Sequence, residues 1–144
     1  MHRAEQIMQA VETALMGLTT TGTNVKRARV YKLTDEDLPA LSINMGADDI
    51  ADENNMAFID RSLAIEVVAH VKANDAIDTT LNKIRREVHQ ALYADYTLGQ
   101  SFVIDTVLNG DDSPEFNGEL EKPVASQRLN YIVMYRHSVA DPGA

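Results

Sequence analysis

Between Arg61 and Lys72 the chain alternates. Leu63, Ile65, Val67, Ala69 and Val71 fall on one side; Ser62, Glu66, His70 and Lys72 fall on the other. A period of two marks a strand with one face against a core. Ala64 and Val68 interrupt the polar side, so part of the second face is expected to be covered as well. Directly afterwards Ile77, Leu81, Ile84, Val88 and Leu92 recur at helical spacing. Asn74 or Asp75 is placed to cap that helix, and Asp78 sits in its first turn beside the positive end of the dipole. A long strand feeding a long amphipathic helix forms a stable helix-on-sheet unit.

The rest of the chain is arranged around this unit. Ile7, Val11, Leu15 and Leu18 form an apolar stripe that predicts a first helix over Arg3–Leu18, ended by the TTTG run Thr19–Gly22. Val25–Leu33 reads as an edge strand armoured with Lys26, Arg27, Arg29 and Lys32. Leu41–Met45 is a short second strand opened by Pro39 and closed by Gly46. Residues 46–60, with five acids and no period, are expected to form a mobile loop. Asp95–Gly99 is a short connection. Ser101–Leu108 is a further strand, and 109–124 a second mobile loop with two Gly and two Pro. Ala125–His137 alternates cleanly, with Leu129, Tyr131, Val133 and Tyr135 inward, and 138–144 is a short flexible tail. The order α-β-β-β-α-β-β predicts a single α+β domain over 1–144. Its expected frame is a mainly antiparallel mixed sheet of about five strands with two main helices packed on one face.

Composition narrows the functional classes. The chain has 144 residues, enough for a real core, and no cysteine, so disulfides and thiolate metal sites are excluded. No apolar run approaches the roughly 20 residues that span a bilayer, and the N-terminus lacks an apolar leader, so a soluble, unexported protein is expected. The net charge of −9 suits phosphate backbones poorly. The charge is uneven, however. Ten of the 22 acids lie in two stretches, 48–60 and 111–121, whereas Lys26, Arg27, Arg29 and Lys32 share one short segment. Such runs are most often solvated faces. The sharper alternative is complementary surfaces on neighbouring copies.

The search for chemistry is negative. His2, His70, His89 and His137 show no ligand spacing, so no metal is expected. The acidic run DDIADE lacks the ligand placement and central Gly of a calcium loop. No nucleophile elbow, P-loop or dinucleotide fingerprint is present, and no cofactor is implied. The expectation is a protein that is not an enzyme.

Several segments together resemble a known family. LTTTGTNV (Leu18–Val25), a basic strand ending in Tyr31, DLPAL (Asp37–Leu41), ALYADYTLG (Ala91–Gly99) and PVASQRLNYIVMYR (Pro123–Arg136) occur in the order of the tail terminator proteins of long-tailed bacteriophages, the family of the lambda minor tail protein U. The resemblance spans nearly the whole chain. It implies a subunit of a homohexameric ring at the head–tail junction of the virion, assembled in the host cytoplasm. Such a ring caps the tail tube, stops tube subunits from adding and offers its other face to the head–tail connector. DNA would pass through the lumen without specific binding, and no membrane is involved. The residues expected at the assembly interface are Lys26, Arg27, Arg29 and Lys32 on the strand and Asp48, Asp49, Asp52 and Glu53 in the acidic loop. The alternatives are a head–tail connector or tail completion subunit, or a small ligand-binding or hydrolase domain with a deep pocket at His70 and His137.

Overall fold

A computed structural model describes residues 1–27, 38–52, 57–72, 76–117 and 124–144. The elements are α1 (Arg3–Leu15), β1 (Val25–Arg27), β2 (Ala40–Asp52), β3 (Phe58–Lys72), α2 (Ile77–Tyr93), β4 (Val103–Asp111), β5 (Glu115–Asn117) and β6 (Val124–Ser138). The α+β expectation holds, with a sheet of six strands rather than five. Its order is β1-β2-β3-β6-β4, with β5 pairing β6; β1 runs parallel to β2 and every other pairing is antiparallel.

The alternation read from Arg61 onward builds the core. Leu63, Ile65, Val67, Ala69 and Val71 of β3 are buried, as are Leu129, Tyr131, Val133 and Tyr135 of β6. Both helices press on that face, through Ile7, Val11 and Leu15 of α1 and Leu81, Ile84, Val88 and Leu92 of α2. The opposite face of the sheet has no helix on it among the described residues. There Ala64, Val68, Ile132 and Met134 are half-buried by their strand neighbours.

Local chemistry sets the helix ends. His2 caps α1, its Nδ1 accepting from the Ala4 N–H at 3.0 Å. The helix stops at Leu15, not Leu18, because Met16 turns extended and Gly17 takes φ 85°. Of the expected strand Val25–Leu33, only Val25–Arg27 falls among the described residues. For α2, Ala76 occupies the cap position without a side-chain bond, in place of the Asn74 or Asp75 expected there; those two lie outside the described residues.

The largest departure from the expected fold is at 46–60. Instead of a loop over the whole stretch, β2 continues to Asp52 and β3 begins at Phe58; residues 53–56 lie outside the described residues. Gly46 does not end the strand; it sits in a bulge between Met45 and Asp48. A Cβ at Gly46 would meet the Ala64 Cβ at 3.1 Å, so glycine is what lets β2 lie this close to β3. Likewise β4 runs on to Asp111, and β5 occupies part of the expected 109–124 loop. Bulges at Val103/Asp105 and Leu108/Gly110 change which β4 residues face inward. Val103 and Thr106 are buried while Ile104 and Leu108 are exposed. The tail is tied down: Val139 N–H donates to Ala57 O at 3.0 Å, and Arg3 N–H to Pro142 O at 2.9 Å.

One latch holds the turn after α1 onto α2. The Glu87 carboxylate accepts from the Thr20 N–H at 2.8 Å and from the Thr20 hydroxyl. Glu87→Ala should lower the unfolding free energy by about 1–2 kcal/mol, since both bonds go to a charged acceptor. A urea titration with unchanged slope checks this; an unchanged midpoint refutes it.

With 15 residues each, β3 and β6 extend about 50 Å, whereas the 13 residues of α1 give about 20 Å. The sheet therefore outruns the helical layer. Beyond Ile43 the side chains of β2 are largely uncovered, with Met45 59% and Ile50 49% exposed.

Candidate assembly interface

The basic and acidic residues singled out by sequence fall on neighbouring strands. Lys26 and Arg27 lie on β1, and Asp48, Asp49 and Asp52 on β2, not in a loop. Arg29, Lys32 and Glu53 lie outside the described residues. Lys26 is exposed, opposite Ser42 on the open face of the sheet. Arg27 faces α1 instead, its Nη1 and Nη2 donating to the Glu5 carboxylate at 2.6 and 3.0 Å. This bidentate pair holds the Glu5 carboxyl below its ordinary range and raises the Arg27 guanidinium. The Arg27 guanidinium thus has an intrachain partner.

Asp48 lies on the helix side of the sheet, beside Leu63. The Tyr135 hydroxyl reaches across β3 and donates to Asp48 Oδ2 at 2.6 Å; Asp48 Oδ1 is buried with no partner among the described residues. Burial raises the Tyr135 phenol, and the bond to Asp48 adds to the shift. Next to it Arg61 Nε donates to His137 Nε2 at 2.7 Å, and His137 Nδ1 sits 2.6 Å from Ser138 O. On the open face, Arg136 Nε and Nη2 donate to Asp60 at 2.7 and 3.1 Å, which lowers the Asp60 carboxyl.

The opposite flank of the molecule, where α2 ends against β4, was not singled out by sequence. Tyr93 stacks on His89 at 4.3 Å between ring centroids, and its hydroxyl accepts from the Leu108 N–H at 2.7 Å. The Thr106 N–H donates to Asp105 Oδ1 at 2.9 Å, and its hydroxyl to Tyr96 O at 2.8 Å. Two β4 N–H groups are therefore occupied by side chains. Tyr93, Tyr96 and Leu108 are 42%, 55% and 41% exposed. Arg85 reaches from α2 to Asp111 at 2.8 Å, while Asp112 and Glu115 stand exposed beyond it. A sequence signal existed: two tyrosines three apart at the end of an amphipathic helix, next to a strand rich in acids.

The structure does not bring His70 and His137 together; His2 is the histidine near His137, 6.4 Å between ring centroids. His70 lies near one end of β3 on the open face, and its Nε2 sits 2.9 Å from Ser42 Oγ. His137 lies near the other end on the helix side. Ser42 is 3% exposed, so its hydroxyl is closed to a substrate. A groove of about 680 Å³ runs between α1 and the end of α2, lined by Ala10, Ala14, Ala91, Ala94 and Leu98. A second cleft of about 420 Å³ is bounded by Arg3, Phe58, Phe102 and Arg136. Neither contains His70 or His137. Among the described residues no group of three His, Cys, Asp or Glu could hold a metal, and no helix is long and apolar enough to cross a membrane.

No protein-family model matches the sequence, and no curated protein matches it. The fold is similar to a chain of a solved structure, "Virion of native gene transfer agent (GTA) particle", with 17% identity and a TM-score of 0.56. The match covers 94% of this chain and 92% of that chain, so the two share a fold over nearly their whole length.

Proposed function

We propose that this chain is a structural protein of a phage-like virion and, more finely, its tail terminator. It acts as a ring-forming subunit that caps the tail tube, stops tube polymerisation and presents a docking surface to the head–tail connector. The observation that carries this reading is the end-to-end fold likeness to a chain of a gene transfer agent virion. It joins the independent resemblance of LTTTGTNV, DLPAL and ALYADYTLG to tail terminators. On this reading the partners are further copies of the chain, the tube protein and the connector, and the protein sits at the head–tail junction of the virion. It works by shape rather than by turnover. The inaccessible Ser42 hydroxyl and the separation of His70 from His137 favour that over a hydrolase.

The test is direct. Purified protein is added to polymerising tail tube protein of the same particle, and tube lengths and ends are followed by electron microscopy. Short tubes bearing one ring at an end are expected. Tubes that grow as long as without the protein, with bare ends, would refute the terminator. Binding to the head connector while ignoring tube ends would indicate a connector or completion subunit instead.

A further inference from the structure

We propose that the cleft between Arg3, Phe58, Phe102 and Arg136 receives the acidic segment around Phe116 of a second copy of this chain, docked head to tail. This rests on the ring-forming reading above and names the contact through which the ring closes.

Three observations carry it. First, the cleft is cationic and apolar at once. The Arg3 guanidinium lies over the Phe102 ring at 4.6 Å, and that of Arg136 over the Phe58 ring at 5.7 Å. Asp60 offsets the charge of Arg136, but no carboxylate pairs with Arg3 among the described residues. Arg3 Nη1 donates to Arg136 O at 2.6 Å; with the ring beneath it, this holds the guanidinium in place for an incoming carboxylate. Phe58 and Ile104 add exposed apolar surface. Second, a knob of matching character stands elsewhere on the molecule. Phe116 is 63% exposed, the most exposed phenyl or phenol ring among the described residues. Asp112 and Glu115 in the same short segment are exposed, and 103–117 contain no lysine or arginine. An apolar cavity of about 150 Å³ holds a benzene ring, so a cleft of about 420 Å³ has room for one phenyl and its neighbours. Third, knob and cleft sit at opposite ends of β6. Glu115 pairs with Ser126, and the ten residues of β6 from Ser126 to Arg136 extend about 33 Å. The knob therefore cannot reach the cleft of its own chain. A contact between two different surfaces of identical subunits is heterologous, and it propagates around a ring when its rotation closes.

Ring and carboxylates act together. The Phe116 phenyl leaves water for a cleft whose own rings are already covered by guanidinium groups, while Asp112 and Glu115 come to the rim that Arg3 makes positive. An aromatic anchor inside a charged rim is where binding energy concentrates. Association through such a contact weakens as salt screens the charges.

The chain has no cysteine, so introduced thiols report without interference. Ser101→Cys at the cleft and Ser113→Cys in the knob both replace exposed residues. The two variants are mixed under tube-capping conditions and treated with a short bis-maleimide. A covalent dimer is expected from the mixture and none from either variant alone; the Ser101→Cys/Ser113→Cys double variant should give a ladder of oligomers. Phe116→Ala and Arg3→Glu, each with circular dichroism unchanged, should each weaken self-association at least tenfold in sedimentation. Adding Glu115→Arg to Arg3→Glu should restore part of it. Rings that form without the mixed cross-link, or at undiminished strength in Phe116→Ala, overturn the contact and leave the terminator reading standing. So do wild-type chains that cap tubes without self-association, and cleft variants whose rings persist while tube binding is lost, which would seat the tube protein in the cleft instead. Wild-type protein that neither self-associates nor caps tubes overturns both.

Discussion

Truncating Leu81 to alanine should cost about 3 kcal/mol of unfolding free energy, within the roughly 2–5 range for buried leucines. Leu81 is 1% exposed and belongs to the α2 stripe, with Ile84, Val88 and Leu92, that seals the helix side of the sheet. Removing three carbons there forfeits their transfer out of water and leaves a hole that two fixed layers cannot close. Val67→Ala, at the middle of β3 and 0% exposed, should behave similarly with a smaller volume change. Since a small domain holds about 5–15 kcal/mol in all, Leu81→Ala should bring the urea midpoint down by a large fraction with the slope unchanged. A loss below about 1 kcal/mol would mean that α2 is not the lid of the core.

The second large effect is expected in alkali. Tyr131 and Tyr135 are 2% and 0% exposed. Burial raises both phenols well above their ordinary value, with neighbouring Asp111 and Asp48 pushing the same way. In the unfolded chain these groups ionise near pH 10. Between that pH and the higher folded value, the unfolded state releases protons that the folded state keeps. Stability is therefore full below about pH 10 and falls above it, by about 1.4 kcal/mol per pH unit for each tyrosine. With both contributing, the slope approaches about 3 kcal/mol per unit. Urea midpoints at pH 9, 10 and 11 check it, and Tyr131→Phe should remove about half of the slope. A flat profile through pH 11 would show that these hydroxyls reach water.

What could be read from the sequence follows from what each pattern depends on. The alternation from Leu63 to Val71 and from Leu129 to Tyr135 was legible because one face of each strand lies under helices and the period survives intact. The stripes of α1 and α2 were legible for the same reason. Where the period breaks, reading failed. Gly46 and the acids after it look like a loop, yet the bulge at Met45/Asp48 merely resets the register and the strand goes on. The ends of β4 were obscured by two such bulges. The engagement of Arg27 by Glu5, 22 residues away, has no local signature at all. The tyrosine flank has only a faint one: Tyr93 and Tyr96 lie three apart, yet Tyr93 looks like one more helix residue until β4 arrives and its Leu108 N–H finds the hydroxyl.

From Met45 to Asp52, β2 is held to β3 by backbone pairing while Met45, Asp49 and Ile50 stand in solvent. Hydrogen bonds shape this blade; apart from Asp48, which accepts from the Tyr135 hydroxyl, these exposed side chains contribute little to keeping the domain folded. Substitution at these exposed positions therefore carries almost no thermodynamic penalty, so the outer surface can be rewritten while the scaffold behind it stays the same.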